Sequence, residues 1–270
     1  IAERLFVWVH LLTPHLPYRP SPAHTPPLTP TLDPVLCSSA LYDGEVRDVD
    51  DLVGTLVESI DRHRGSDRTM IVFTSDHGEE FGEHGSWEHG HSLHEEVTHV
   101  PLVIVAPGLA PGSRIESRIG TIDIFPTILD GAGVRPTSAE PRAGSSLLPL
   151  VSGAPAVDKE TYSEGMLYGN TRRSLTAGGY RAILDLQEDR MELYQVAVDR
   201  DERFDLAASQ PDRLRDLRGR LDAWQWRLSY DARRIEARKA RLSIPLSDED
   251  DASERRRIDE ALRSLGYANP

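Results

Sequence analysis

The chain has 270 residues, 39% hydrophobic and 28% charged, enough for one large α/β domain or a domain with a smaller appendage. A formal net charge of -13 with no basic cluster argues against nucleic-acid binding, because a phosphate backbone needs a positive face. No apolar run approaches the roughly 20 residues that span a bilayer, so no transmembrane segment is expected, and a single cysteine, Cys37, excludes an internal disulfide framework.

The chain opens on IAERLFVWVHLL, with neither an initiator methionine nor a signal-peptide layout. Its apolar run at 5–11 predicts a core strand, and so abrupt an entry predicts an upstream part, where any secretion signal would lie. Residues 14–34 carry Pro14, Pro17, Pro20, Pro22, Pro26, Pro27, Pro30 and Pro34, which rules out regular helix or central strand and predicts a long loop. Tyr42, Val46, Val49, Val53, Leu56 and Ile60 then recur at helical spacing, predicting a helix over 39–63 with Asp48, Asp50, Asp51 and Glu58 on its solvated side. The short Val- and Ile-rich runs 70–75 and 100–106 read as strands buried on both faces of a parallel sheet, the second ended by Pro107-Gly108. Residues 121–132 predict a further helix stopped at Gly131 or Gly133.

Past residue 135 the texture changes to short runs at 161–164, 180–186 and 191–196, as in a small antiparallel sheet. Leu214, Leu217, Leu221, Trp224 and Leu228 mark a helix, and 253–265 a last one, both expected to pack on that sheet. The fold class expected is α/β: a mostly parallel sheet flanked by helices, with a smaller C-terminal α+β subdomain of antiparallel sheet plus helices. The boundaries are 1–135, 136–245 and a C-terminal helical extension at 246–270.

Chemistry concentrates in IVFTSDHGEEFGEHGSWEHGH, where an apolar run stops abruptly at Asp76 and His77. A strand delivering a carboxylate and an imidazole at its carboxyl end is a common way to build a metal-dependent hydrolytic site. Taken alone, the pair reads equally as a capped turn with a hydrogen-bonded histidine. His89, flanked by Gly90, follows by one loop, and His15 lies just past the end of the first expected strand, at the edge where open α/β sheets collect ligands. His84 reads as a solvated or supporting residue, His91 as solvated, and His10 as a core histidine. Glu79, Glu80 and Glu83 read as loop surface, and Cys37 as a partly buried structural thiol.

These segments together resemble the sulfatase family of the alkaline phosphatase superfamily. FVWVHLLTPHLPYRP is similar to the family's strand-to-loop segment with its Pro-His-x-Pro core, and YDGEVRDVDDLVGTLVESI to the helix that follows. MIVFTSDHGEEFGEHG resembles the metal-binding strand and turn, WEHGHSLHEEVTHVPLVIVAPG the segment leading to the next strand, and TIDIFPTILDGAGV the helix after it. MELYQVAVDRDE resembles the ELYDL-type carboxyl-terminal strand, and ALRSLGYAN the end of many bacterial members. The resemblance implies an alkaline-phosphatase-like fold, with 1–135 the C-terminal part of the catalytic domain. It implies hydrolysis of a sulfate ester, carried by a sulfated small molecule or glycan, through a divalent metal, usually Ca2+. Asp76 and His77 match the second pair of metal ligands. His15 matches a histidine that contacts substrate and can protonate the departing alcohol. His89 falls at or near a position where relatives carry a lysine or histidine touching the sulfate oxygens.

A working sulfatase also needs an upstream segment with the first acidic ligands and a Cys-x-Pro-x-Arg or Ser-x-Pro-x-Arg motif, whose first residue becomes formylglycine, the nucleophile. The chain is read as holding neither, and Cys37, followed by Ser38-Ser39-Ala40, does not fit. The polypeptide alone is therefore expected to have negligible activity and to bind calcium weakly. The rival readings are a phosphonate monoester hydrolase, phosphodiesterase or phosphoethanolamine transferase of the same superfamily, or a non-catalytic remnant.

Overall fold

A computed structural model of the chain describes residues 5–27, 34–135, 144–155 and 158–242; the helix expected at 253–265 lies outside them. They fall into two compact units, one of 5–26, 41–49 and 222–242, the other of 34–40 and 50–221 with 27. Helices α1 (Pro34–Arg64) and α5 (Pro211–Leu242) contribute to both. No helix among the described residues is long and apolar enough to cross a membrane.

In the first unit the described part of the proline-rich segment forms no strand ladder, and three of its amides are satisfied by carboxylates on one face of α1. Glu45, buried at 5% exposure, accepts from the His15 and Arg19 amides at 3.1 and 2.6 Å. One turn later Asp48 accepts from the Ser21 amide and hydroxyl, each at 2.6 Å, and pairs with His24 Nδ1 at 2.8 Å. These bonds lower the Asp48 carboxyl to a pKa of about 2. Gly44, just before Glu45, is required by proximity, because a Cβ there would lie 2.6 Å from the His24 carbonyl. Asp48 is thus not on a merely solvated side, although Asp50, Asp51 and Glu58 are exposed.

The strand expected at 5–11 does not form: Leu5, Phe6, Val7, Trp8 and Val9 are exposed, and the backbone there pairs with nothing among the described residues. His10 is likewise exposed rather than in a core. An apolar run is a strand only where another strand takes its amides and a layer covers its side chains.

In the second unit β1 (Ile71–Thr74) pairs with β4 (Leu102–Val105) in antiparallel register, Ile71 opposite Val105 and Thr74 opposite Leu102. Among the described residues no strands run parallel. Nor is β4 buried on both faces, since Val103 and Val105 are exposed at 53% and 48%. Continuous Val and Ile content signals strand but not direction, which the connection sets. Helix α3 (Ile124–Gly131), entered through a 3-10 turn at Thr121–Asp123, follows β4, and the short α4 (Leu148–Val151) comes next in the chain; Gly133 at φ 65° follows the end of α3. Asp123, 1% exposed, ties that turn to the next segment by accepting from the Ser145 amide and Lys159 Nζ, each at 2.7 Å.

The antiparallel sheet has four strands in sequential order, β5 (Thr161–Glu164), β6 (Arg172–Ala177), β7 (Tyr180–Asp185) and β8 (Arg190–Tyr194). The period of two on β7 sorts its faces. Tyr180, Ala182 and Leu184 face α5, whose Arg213 guanidinium lies 3.8 Å over the Tyr180 ring, and Ala182, Leu184, Met191, Leu193, Leu217 and Leu221 are buried in the core. Arg181, Ile183 and Asp185 point the other way, where Arg181 donates to the Leu93 carbonyl at 3.2 Å and Thr98 Oγ1 at 2.8 Å. The sheet therefore supports the segment that follows β1, in which the candidate site lies.

Candidate metal and anion site

Beyond Thr74 the backbone turns through Asp76, His77 and Gly78. The Gly78 and Glu79 amides donate to the Val97 and Glu96 carbonyls at 2.8 and 3.1 Å, docking the turn on helix α2 (Glu95–Thr98). The approach is so close that a Cβ on Gly78 would lie 2.0 Å from the Glu96 oxygen, so only glycine fits. Strands β2 (Glu80–Phe81) and β3 (Trp87–Glu88) then form a short hairpin that returns the chain to His89.

This turn brings His77 and His89 into a stack, ring centroids 3.9 Å apart and planes 26° apart. His77 Nδ1 donates to the Gly78 carbonyl at 2.8 Å, which in the neutral ring leaves the lone pair on Nε2. That Nε2 stands 3.9 Å from Asp76 Oδ1, whose side chain is 70% exposed. Two donors on one calcium-sized ion, bonded at about 2.4 Å, sit about 3.4 Å apart at a right angle and farther as the angle opens. Asp76 and His77 therefore fit as two neighbouring ligands of one hard divalent ion.

His89 is held from behind. Its Nδ1 meets Glu79 Oε1 at 3.1 Å, with the two side chains only 12% and 4% exposed. The Glu79 hydrogen bond raises the His89 pKa against the opposing effect of burial, and Glu88 and Asp76 add to the rise. The imidazole beside the Asp76–His77 turn is thereby shifted toward its protonated form, an arrangement suited to an anion that also touches a metal.

Glu79 and Glu80, expected on the loop surface, are buried, and Glu80 is 0% exposed. Glu80 closes the hairpin, accepting from the His84 and Ser86 amides at 3.1 and 2.8 Å and from Ser92 Oγ at 2.9 Å. Glu83 is exposed as expected, and Cys37 is partly buried. His91 is not simply solvated, for its ring stacks on Tyr168 at 4.7 Å.

A second cluster, formed by His84, His94 and Glu202, was not visible in the sequence. The His84 and His94 rings lie face to face, 3.6 Å apart with planes 4° apart. His84 Nδ1 bonds Glu96 Oε1 at 2.7 Å and its Nε2 the Glu202 carbonyl at 3.2 Å, while His94 Nδ1 bonds Glu202 Oε2 at 2.8 Å. Burial lowers the His84 pKa, but bonds to Glu96 and Glu202 outweigh it and the net shift is upward. The donors of these three residues lie within 4.8 Å of one another. Imidazole lone pairs, however, lie in the ring plane, and two parallel planes at this spacing do not direct both at one ion. The cluster is a hydrogen-bonded knot rather than a metal centre. Glu202 is its hub at 1% exposure, also accepting from the Glu95 amide at 3.1 Å and lying 3.1 Å from Arg181 Nε.

His15 lies in the other unit, its Nδ1 donating to the Leu16 carbonyl at 2.8 Å. One further expectation is corrected: Ser209-Gln210-Pro211-Asp212-Arg213 does carry the Ser-x-Pro-x-Arg spacing. The structure makes it the start of α5, with Ser209 Oγ donating to the Leu206 carbonyl at 3.1 Å and Pro211 at the first helical position, where its missing amide costs nothing. Arg213 is engaged by Gln210 at 3.1 Å and by Tyr180. These contacts explain the spacing as a helix start.

Residues 2–134 match the sulfatase family model. Choline-sulfatase of Rhizobium meliloti is 31% identical over 172 residues, 63% of this chain and 31% of the relative. Arylsulfatase K of Xenopus laevis is 26% identical over 209 residues, 68% of this chain and 38% of the relative. Among solved structures, a 2-O GAG sulfatase aligns with a TM-score of 0.64 at 25% identity, over 72% of this chain and 44% of that one. A phosphonate monoester hydrolase from Silicibacter pomeroyi aligns with a TM-score of 0.57 at 26% identity, over 82% and 46%. The chain thus spans between about a third and a half of the length of these proteins. With the family match, the sulfatase relatives and the sulfatase-like neighbours in fold, residues 2–134 belong to the sulfatase family.

Proposed function

We propose that the chain forms part of a site that hydrolyses a sulfate ester on a small molecule or glycan. The observation that carries this reading is the convergence of Asp76, His77 and a carboxylate-backed His89 on one turn. Asp76 and His77 would hold a divalent cation, Ca2+ in this reading. Bound there, such a cation would supply positive charge to the sulfate oxygens and draw electron density from the sulfur. His89, held in place by Glu79, donates to a sulfate oxygen and stabilises charge that grows as the ester bond lengthens. His15, whose Nδ1 donates to the Leu16 carbonyl, is in this reading the group that protonates the departing alcohol oxygen.

The remaining acidic ligands and a formylglycine nucleophile come, in this reading, from sequence outside these residues. Residues 1–135 then belong to the catalytic α/β domain and its mostly parallel sheet, with 136–245 the smaller antiparallel subdomain. A second reading, phosphonate ester hydrolysis, is favoured by the fold similarity to the Silicibacter pomeroyi enzyme. Assays of the 270-residue chain with 4-nitrophenyl sulfate and 4-nitrophenyl phenylphosphonate test the division of the site. Turnover no faster than with Asp76→Ala is expected for both esters. Robust turnover of either by the wild-type chain would show that no outside nucleophile is required.

A further inference from the structure

We propose that the β5–β6 loop, through Tyr168 and Leu167, forms the wall that receives the ring of a ring-bearing sulfate ester beside His89. This deepens the sulfate-ester reading and rests on it. Both loop residues expose large apolar surface, 47% each, which costs free energy unless something covers it. They are nonetheless firmly placed. The Leu167 and Tyr168 amides both donate to the Gly90 carbonyl, at 3.1 and 3.0 Å, one residue beyond His89.

The contact is tight as well as bonded. Gly90 has a φ of 85°, and a Cβ there would lie 2.7 Å from the Leu167 Cβ. Tyr168 stacks on His91 with ring planes 22° apart. Behind the loop, Asn170 Nδ2 donates to the Asp185 carboxylate at 3.0 Å, and the Gly165 amide to the Arg172 carbonyl at 3.3 Å. An anchored aromatic ring held one residue beyond His89 matches a ligand with an anionic group on a planar or pyranose ring. The anion meets His89, and the ring lies along Tyr168 and Leu167.

The test is ligand-observed NMR titration of the 270-residue chain with 4-nitrophenyl sulfate and with methyl sulfate, which shares the anion and lacks the ring. The wild type is expected to bind the ring ester about 3- to 10-fold more tightly, a range set by one aromatic stack. Tyr168→Ala should abolish that preference without changing methyl sulfate affinity, and Tyr168→Phe should keep it. An unchanged preference in Tyr168→Ala, or none in the wild type, overturns the proposal. His89→Ala separates the two readings. If methyl sulfate affinity does not fall while the ring preference still follows Tyr168, the sulfate reading fails and the wall stands. No binding of either ester overturns both.

Discussion

Glu79 and Glu80 are adjacent carboxylates with different tasks, the first holding His89 and the second closing the hairpin that returns the chain to it. Their burial could not be read from EEFGE, because the donors that make it tolerable arrive only when residues 84–92 fold back. The same holds for Glu202, which lies 108 positions from His94 and at a φ of 51°. Glu202→Ala would leave Arg181 and His94 facing a void, and a loss of about 3–5 kcal/mol is expected, measurable by urea unfolding. His84 supplies a pH prediction. Its folded pKa is raised, so its stabilisation is complete below the unfolded value of 6.5 and is lost as pH rises through the folded value. Titration of the ring nitrogens by NMR should give a midpoint above 6.5, and Glu96→Gln should lower it. Asp48 has the opposite sign. Its carboxyl is depressed to about 2 from 3.8, so the anchoring of Ser21 and His24 should survive above 3.8 and weaken as pH falls through 2. Backbone amide shifts of Ser21 and His24 would follow that loss.

Elements differ in how far the sequence announces them. Helix α1 was legible from Tyr42, Val49, Val53 and Ile60, and its stop at Gly65, φ 81°, follows three basic residues well placed for the helix dipole. Strand β6 was not, because RRSLTA shows little apolar alternation; Ser174 and Thr176 are buried, and Thr176 accepts from Arg181 Nε at 3.1 Å. Core positions on the α5 face behave conventionally, and Leu193→Ala, at 0% exposure, should cost about 2–5 kcal/mol in thermal or urea unfolding. Helix α2 is only Glu95–Thr98, yet its backbone receives the site turn. Gly78→Ala should therefore cost about 1–3 kcal/mol and shift the His77 and His89 ring signals, because the turn must lift from Glu96.

On the scale of the whole molecule, Asp76, His77 and His89 were legible because they are close in sequence and share one turn. His15 belongs to the other unit, and its role rests on the proposed function. The net charge of -13 makes a sulfate ester an unfavourable long-range partner, so affinity for one has to be created locally by His89 and a bound cation. The direct test is methyl sulfate affinity of the 270-residue chain, measured by ligand-observed NMR with and without Ca2+, in wild type, Asp76→Ala and His89→Ala. The account predicts that Ca2+ tightens binding in the wild type, that Asp76→Ala removes the calcium effect, and that His89→Ala weakens binding about tenfold, as loss of a charge-assisted hydrogen bond implies. Binding indifferent to Ca2+ and to both substitutions would contradict it.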